Sequence, residues 1–383
     1  MQSSNNNIYL DGAAAMPVRG ELLESFQQNI LEYSANPEAL HCEARKAASA
    51  LDNAADQLIS ALTGDEYQLF WSSSATEAIN MTFLFPFFRD RVILTSDSEH
   101  PAVQHAIEGA GFCEIRKVPV KRDGLLDFEI LEKMLDSDVD VVSIHHVQNE
   151  TGAIQDLCEV RRLINKKSPD AIFISDTVQS VAKLAVPWLE AEINIGFIGG
   201  HKVGAVSGGA LICSFQNQPD TAKAFSLHLQ NLRKISHSIG RADPAICINL
   251  ADAVIFAESG NSLCKATYLS KTLRAKLADL AAETNVPITI PVPEDSASPY
   301  IVTFLMPPYQ AEVVVRMLSD KGIMVSAGSA CEASKSKPSQ ALISISGSDQ
   351  NARTAIRVSF SFQSQISDID RFIDALKEVL NEY

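Results

Sequence analysis

One lysine and one aspartate stand where chemistry is expected. Lys202 closes the run Phe197-Ile198-Gly199-Gly200-His201-Lys202, directly after a stretch that reads as a buried strand. An isolated lysine after a strand is most simply a surface group. Two upstream residues change that reading: Asp176 ends the apolar run 171–175, and Gln179 follows three positions later. In an open α/β sheet ligands bind at the carboxyl ends of the strands, so Asp176 and Lys202 are expected to face one crevice. An amine able to form a Schiff base, beside a carboxylate able to keep a ring nitrogen protonated, is the pair that pyridoxal 5'-phosphate (PLP) chemistry requires.

Such a pair needs a sheet to position it. Short apolar runs rich in Ile, Val and Phe recur at 68–71, 92–95, 114–118, 139–145, 171–175, 193–198 and 209–213. Runs this continuous suit strands buried on both faces of a mainly parallel sheet. Helical spacing lies between several of them, at 38–62 with Gly64 as a stop, and at 156–166 with Pro169 beyond its end. Strands alternating with helices over roughly 200 residues describe an α/β domain. The last third reads as α+β. Long helical sequence over 249–283 breaks near Ser259-Gly260, strand-like pieces fall at 288–290, 300–305, 323–325 and 355–359, and helices at 310–321 and 366–380. The expected boundary lies near residue 250. Segment 326–348 is poor in large apolar side chains and rich in Ser, Ala and Lys, and reads as a long functional loop.

Composition narrows the setting. The 383 residues are 46% hydrophobic and 21% charged, ordinary values for a folded chain. A formal charge of −15 repels nucleic acid and anionic membrane surfaces, although a small anion can still sit in a locally positive pocket. No run reaches the length of a membrane span, and the opening MQSSNNNIYLDG has neither the basic flank nor the apolar block of a secretion signal. The 7 cysteines lack disulfide-framework spacing, and without a CxxC or a tight His/Cys cluster a structural zinc site has no support. A cytoplasmic protein is expected.

The motifs now combine. In chain order they are Ile8-Tyr9-Leu10-Asp11, Asn36-Pro37 with His41, Ser73-Ser74-Ala75-Thr76-Glu77-Ala78, Ser98-Glu99-His100-Pro101-Ala102-Val103 and Asn149-Glu150-Thr151-Gly152. Asp176-Thr177-Val178-Gln179, Gly200-His201-Lys202, Gly328-Ser329-Ala330-Cys331 and Ile356-Arg357-Val358-Ser359 follow. In this order the chain resembles the cysteine desulfurases of the NifS/IscS type, within the class V, fold type I group of PLP-dependent aminotransferases. The resemblance implies a large domain over 16–250 with a mainly parallel seven-stranded sheet. Residues 1–15 and 251–383 would form a smaller α+β domain carrying the catalytic-cysteine loop.

It also implies roles, residue by residue. Lys202 carries the cofactor as a Schiff base and Asp176 faces the ring nitrogen. Ala75 and Thr76, opening a helix, hold the phosphate with their free N–H groups and a hydroxyl, as helix starts can. His201 reaches the same phosphate. His100 lies on the ring and takes part in proton transfer. Asn149 and Gln179 bond the phenolic oxygen, and Asn149 touches the substrate carboxylate, which Arg357 binds with its two-pronged guanidinium. Cys331 is the nucleophile that takes sulfur from cysteine as a persulfide and releases alanine.

Two departures bear on the phosphate. Gly199 stands where the family usually has serine. In Ser238-Ile239-Gly240-Arg241-Ala242-Asp243, Arg241 replaces a threonine that reaches the partner subunit's phosphate, and is expected to cross the dimer interface in its place. The expected protein is a homodimeric desulfurase acting on L-cysteine and passing sulfur to an acceptor protein, such as an iron–sulfur scaffold. The alternatives are another PLP enzyme of the same family (a selenocysteine lyase, another C–S lyase or a class V aminotransferase) and a divergent scaffold without turnover.

Overall fold

The computed structural model describes residues 7–64, 66–216, 218–235, 242–328 and 337–383. At its centre is a seven-stranded sheet. From one edge the strands are Gln68–Ser72, Gly209–Cys213, Ile195–Gly199, Ile172–Ser175, Val139–Ser143, Val92–Ser96 and Glu114–Val118. Only Gly209–Cys213 runs against the others. Neighbouring residues on a strand belong to different cores, because helices cover both faces. Leu94, Val142, Phe173 and Ile212 pack with the helices Cys42–Thr63, Leu157–Lys167 and Pro244–Glu258. Ile93, Val141, Ile174 and Leu211 pack with Ala75–Phe83, Pro101–Gly109 and Pro219–Ile235. That double burial is why the strands read as continuous apolar runs and not as alternation.

A separate core gathers Ile8 and Leu10 with residues from Leu269 to Val379. Its sheet is antiparallel, ordered Ser326–Ala327, Ala355–Ser359, Ile301–Leu305, and the short strand Ile8–Tyr9 pairs in parallel with Ile323–Met324. The amino-terminal segment thus joins the carboxyl-terminal third before it crosses to the large sheet. The helical sequence breaks where expected, into Pro244–Glu258 and Ser262–Thr284.

Three expectations are corrected. Residues 288–290 form no strand; Thr289 makes one isolated bridge, to Leu305, because Pro287 and Pro291 deny the N–H groups a ladder needs. The helix expected from residue 38 begins at Cys42, where the His41 side chain accepts a hydrogen bond from the Ala44 N–H at 3.2 Å and caps it. The supposed loop 326–348 opens with the Ser326–Ala327 strand and contains the helix Gln340–Ser346, started by the Ser339 cap and stopped at Gly347 with φ 77°.

Candidate active site

Strands of the large sheet that share a direction end at one rim, and each hands a motif to it. Ser73–Thr76 follow Gln68–Ser72, and Asp97 to His100 follow Val92–Ser96. His145 to Asn149 follow Val139–Ser143, Asp176 follows Ile172–Ser175, and His201-Lys202 follow Ile195–Gly199. This is the crevice in which open α/β sheets hold ligands.

At one end of the rim the helix Ala75–Phe83 starts with Ser74 Oγ accepting from the Glu77 N–H at 3.2 Å. Glu77 in turn accepts from the Ser73 N–H at 2.5 Å. The N–H groups of Ala75 and Thr76 have no protein acceptor among the described residues, so this helix start offers two donors to an anion. Gly209 lets that turn sit so close: a Cβ there would lie 2.3 Å from the Ser74 carbonyl carbon. Gly199, the departure noted above, faces the same place, its virtual Cβ 3.3 Å from Ala75 Cβ and 3.6 Å from His201 Cε1. Desolvation first, then the neighbouring Lys202, Lys183 and His100, push His201 down to about 4.

Lys202 directs its amine at two carbonyls of the amino-terminal segment, Ala13 at 2.8 Å and Ala14 at 2.7 Å. Gln179 Nε2 donates to the same Ala13 oxygen at 2.9 Å. Asp176 Oδ1 accepts from the Val178 N–H at 3.0 Å, which fixes the carboxylate, and Oδ2 has no protein partner among the described residues. His100 caps the helix Pro101–Gly109, its Nδ1 accepting from the Ala102 N–H at 3.1 Å. That contact assigns the ring proton to Nε2. Arg357 sits mid-strand in the small antiparallel sheet and is buried. Its guanidinium donates to the Asn149 carbonyl at 2.9 Å, Asp11 at 2.8 Å and Ser326 at 3.2 Å, and its Nε–H has no partner among the described residues.

Ala75, Thr76, His100, Asn149, Asp176, Gln179, His201, Lys202 and Arg357 all line one cavity of about 580 Å³. Cys331 and Arg241 lie outside the described residues. The arrangement fits the group expected from the sequence: among the described residues, unpaired donors for a phosphate, a spare carboxylate oxygen for a ring nitrogen, and a primary amine lining the same cavity. Residues to which the sequence assigned no role complete the site. Asp11 anchors Arg357. Glu99 is buried and accepts from His145 twice, from its N–H at 2.7 Å and from Nδ1 at 3.0 Å. Lys183 donates to Gln179 Oε1 at 2.8 Å. For Lys183 the sequence does hold a signal, a single cation inside the apolar stretch Val181 to Val186, four positions beyond Gln179.

Comparison with known proteins finds relatives along the whole chain. Cysteine desulfurase IscS of Dictyoglomus turgidum is 26% identical over 98% of this chain and 95% of its own length. Cysteine desulfurase IscS of Methanosarcina thermophila is 26% identical over 100% of this chain and 94% of its own. The X-ray structure of a NifS-like protein from Rickettsia africae ESF-5 shares the fold, with a TM-score of 0.79 at 24% identity over 98% of this chain and 100% of that one. The aminotransferase class-V family matches residues 8–372, and the chain belongs to that family.

Proposed function

We propose that this protein is a PLP-dependent L-cysteine desulfurase, converting L-cysteine to L-alanine and taking the sulfur as a persulfide on Cys331. The observation that carries the reading is the convergence of Lys202, Asp176, His100, Asn149, Gln179 and Arg357 on one cavity. The relatives named cysteine desulfurase support it. Bound there, PLP would supply an electron sink for breaking a bond at the substrate.

The chain's own residues do the rest. Ala75 and Thr76 N–H, the Thr76 hydroxyl and His201 hold the phosphate, and Arg241 adds a contact across a dimer interface. Lys202 holds the cofactor through its amine and exchanges the α-proton of the amino acid. Asp176 Oδ2 keeps the ring nitrogen protonated, Gln179 and Asn149 donate to the phenolic oxygen, and Arg357 with Asn149 holds the substrate carboxylate. His100 moves a proton through Nε2. Cys331 Sγ attacks the substrate sulfur: an S–S bond forms, the carbon–sulfur bond breaks, and its electron pair stays on carbon, which gains a proton to give alanine. Positioning is most of what the protein adds to that step. Pro338 to Ala341 line the cavity. Cys331 lies seven residues before Pro338, a reach of at most about 25 Å of extended chain.

We read residues 16–250 as the large domain and 1–15 with 251–383 as the small one; the separate cores support two domains, with Ala251, Ala253, Val254 and Ala257 packing in the large one. A homodimer in the cytoplasm, delivering sulfur to an acceptor protein, belongs to the same reading. Leu31 and Leu40, 77% and 92% exposed, fit a surface covered by a second copy. Among the described residues no helix is long and apolar enough to cross a membrane. The test is to incubate purified protein with PLP, L-cysteine and a thiol reductant, which releases the persulfide sulfur as sulfide, and to assay alanine and sulfide. Wild type is expected to form both and Cys331→Ser neither; alanine and sulfide from the variant at the wild-type rate would overturn the role of Cys331.

A further inference from the structure

Lys183 is a buried cation beside the cavity for which the reaction above has no use. It is 6% exposed, and its only hydrogen-bond partner among the described residues is Gln179 Oε1, at 2.8 Å. The other end of that amide donates to the Ala13 carbonyl at 2.9 Å, and Lys202 donates to the same carbonyl at 2.8 Å. The chain of contacts therefore runs from Lys183 through the Gln179 amide and the Ala13 oxygen to Lys202.

An amide side chain has two orientations of almost equal shape, and its neighbours decide between them. Here both ends are specified. The Ala13 oxygen can only accept, so it must meet the NH2 end, and Lys183 supplies the donor that the oxygen end needs. Gln179 is 4% exposed, so without Lys183 its oxygen would be buried with no donor, and turning the amide would only set that oxygen against the Ala13 carbonyl; the side chain must leave this position instead. We propose that Lys183 is a positioning residue that locks the Gln179 amide with its NH2 group toward the Ala13 carbonyl and the cofactor cavity. The inference rests on the reading that the cavity binds PLP. Desolvation first, then the neighbouring Lys202 and Arg357, push the Lys183 amine well below the ordinary lysine range. An uncharged amine still donates, so the lock holds in either protonation state.

The consequence is readable without turnover. A donor at the phenolic oxygen favours the deprotonated form of the bound cofactor, so its loss raises the pH at which the visible absorption changes. The experiment titrates wild type, Lys183→Met, Gln179→Ala and the double variant with PLP, recording the dissociation constant, the pH midpoint of the bound absorption and the melting temperature. Lys183→Met is expected to weaken PLP about tenfold, the worth of one buried hydrogen bond, and to raise the midpoint. In the Gln179→Ala background the same change is expected to do neither, because the residue it acts through is gone. A Lys183→Met protein that melts lower but keeps wild-type affinity and midpoint would overturn the proposal. So would an effect of equal size with and without Gln179. If Lys183→Met does not fold, Lys183→Leu serves: it too offers the Gln179 oxygen no donor, so a raised midpoint is expected and an unchanged one refutes the lock. Wild-type protein that takes up no PLP would instead sink the functional reading itself, and this inference with it.

Discussion

Arg357 meets the cavity already paired with Asp11, its guanidinium 2.8 Å from the carboxylate. The side chains are 3% and 19% exposed, so the pair joins the amino-terminal segment to the small sheet in a largely dry place. Removing one partner of such a pair leaves the other's charge uncompensated. Asp11→Asn is therefore expected to cost on the order of 3 kcal/mol in chemical denaturation. Arg357→Lys replaces a fork serving three acceptors with a point charge. It is expected to raise the KM for L-cysteine about tenfold while kcat changes about threefold or less, the pattern of lost substrate binding. A fall in kcat at unchanged KM would count against a carboxylate-binding role.

Gly209 gives a second prediction. A methyl group at this position would lie 2.3 Å from the Ser74 carbonyl carbon and 2.6 Å from the Ala75 nitrogen, so the turn must move. Backbone cannot rotate aside as a side chain does. Gly209→Ala is expected to lose about 2–3 kcal/mol of stability and to weaken PLP at least about tenfold. Paired melting and PLP titrations check this; unaltered affinity would show that the Ser74–Thr76 turn holds nothing.

Much of this was legible in the sequence because the large sheet is buried on both faces. A strand such as Val139–Ser143 then announces itself by continuous Val, and the motif after each strand falls at the rim by topology alone. Residues 288–290 show the limit: Ile288-Thr289-Ile290 has strand composition, but Pro287 and Pro291 on either side deny it a ladder. The helix Gln340–Ser346 was hidden differently. Its apolar positions Ala341, Leu342 and Ile345 do have helical spacing, but serines on both sides made the whole segment read as loop. The partners of Asp11 and Lys183 were not legible for a third reason. Asp11 contacts Arg357 across 346 positions, and Lys183 matters through the Gln179 amide, a relation that only packing creates.

Protonation supplies a third prediction. His146 is 5% exposed, and burial first, then His145, push it down to about 4 from an ordinary 6.5. A histidine depressed in the folded state binds fewer protons there than in the unfolded chain. Its stabilising contribution is complete above about pH 6.5 and is lost as pH falls toward 4, an amount of roughly 3 kcal/mol. Glu99 and Asp97, raised chiefly by burial, pull the other way, so the informative quantity is a difference. Between pH 7 and 4 wild type is expected to lose more stability than His146→Gln. Parallel curves would mean that His146 is not buried as a neutral ring.

The last prediction concerns the amine itself. Lys202 holds two carbonyls, Ala13 and Ala14, and both belong to a segment pinned elsewhere, by the Ala13 N–H to Ser359 Oγ at 2.9 Å and the Met16 N–H to the His201 carbonyl at 2.7 Å. Lys202→Ala should accordingly keep its fold and lose only its covalent chemistry. Borohydride reduction of wild type incubated with PLP is expected to leave the label on the peptide that contains Lys202. In Lys202→Ala no peptide should carry it in stoichiometric amount, although PLP should still bind reversibly through Ala75, Thr76 and Asp176. Label found on Lys183 in wild type would reverse the assignment of the two lysines. The geometry argues against that outcome, since Lys183 lies behind the Gln179 amide while Lys202 lines the cavity.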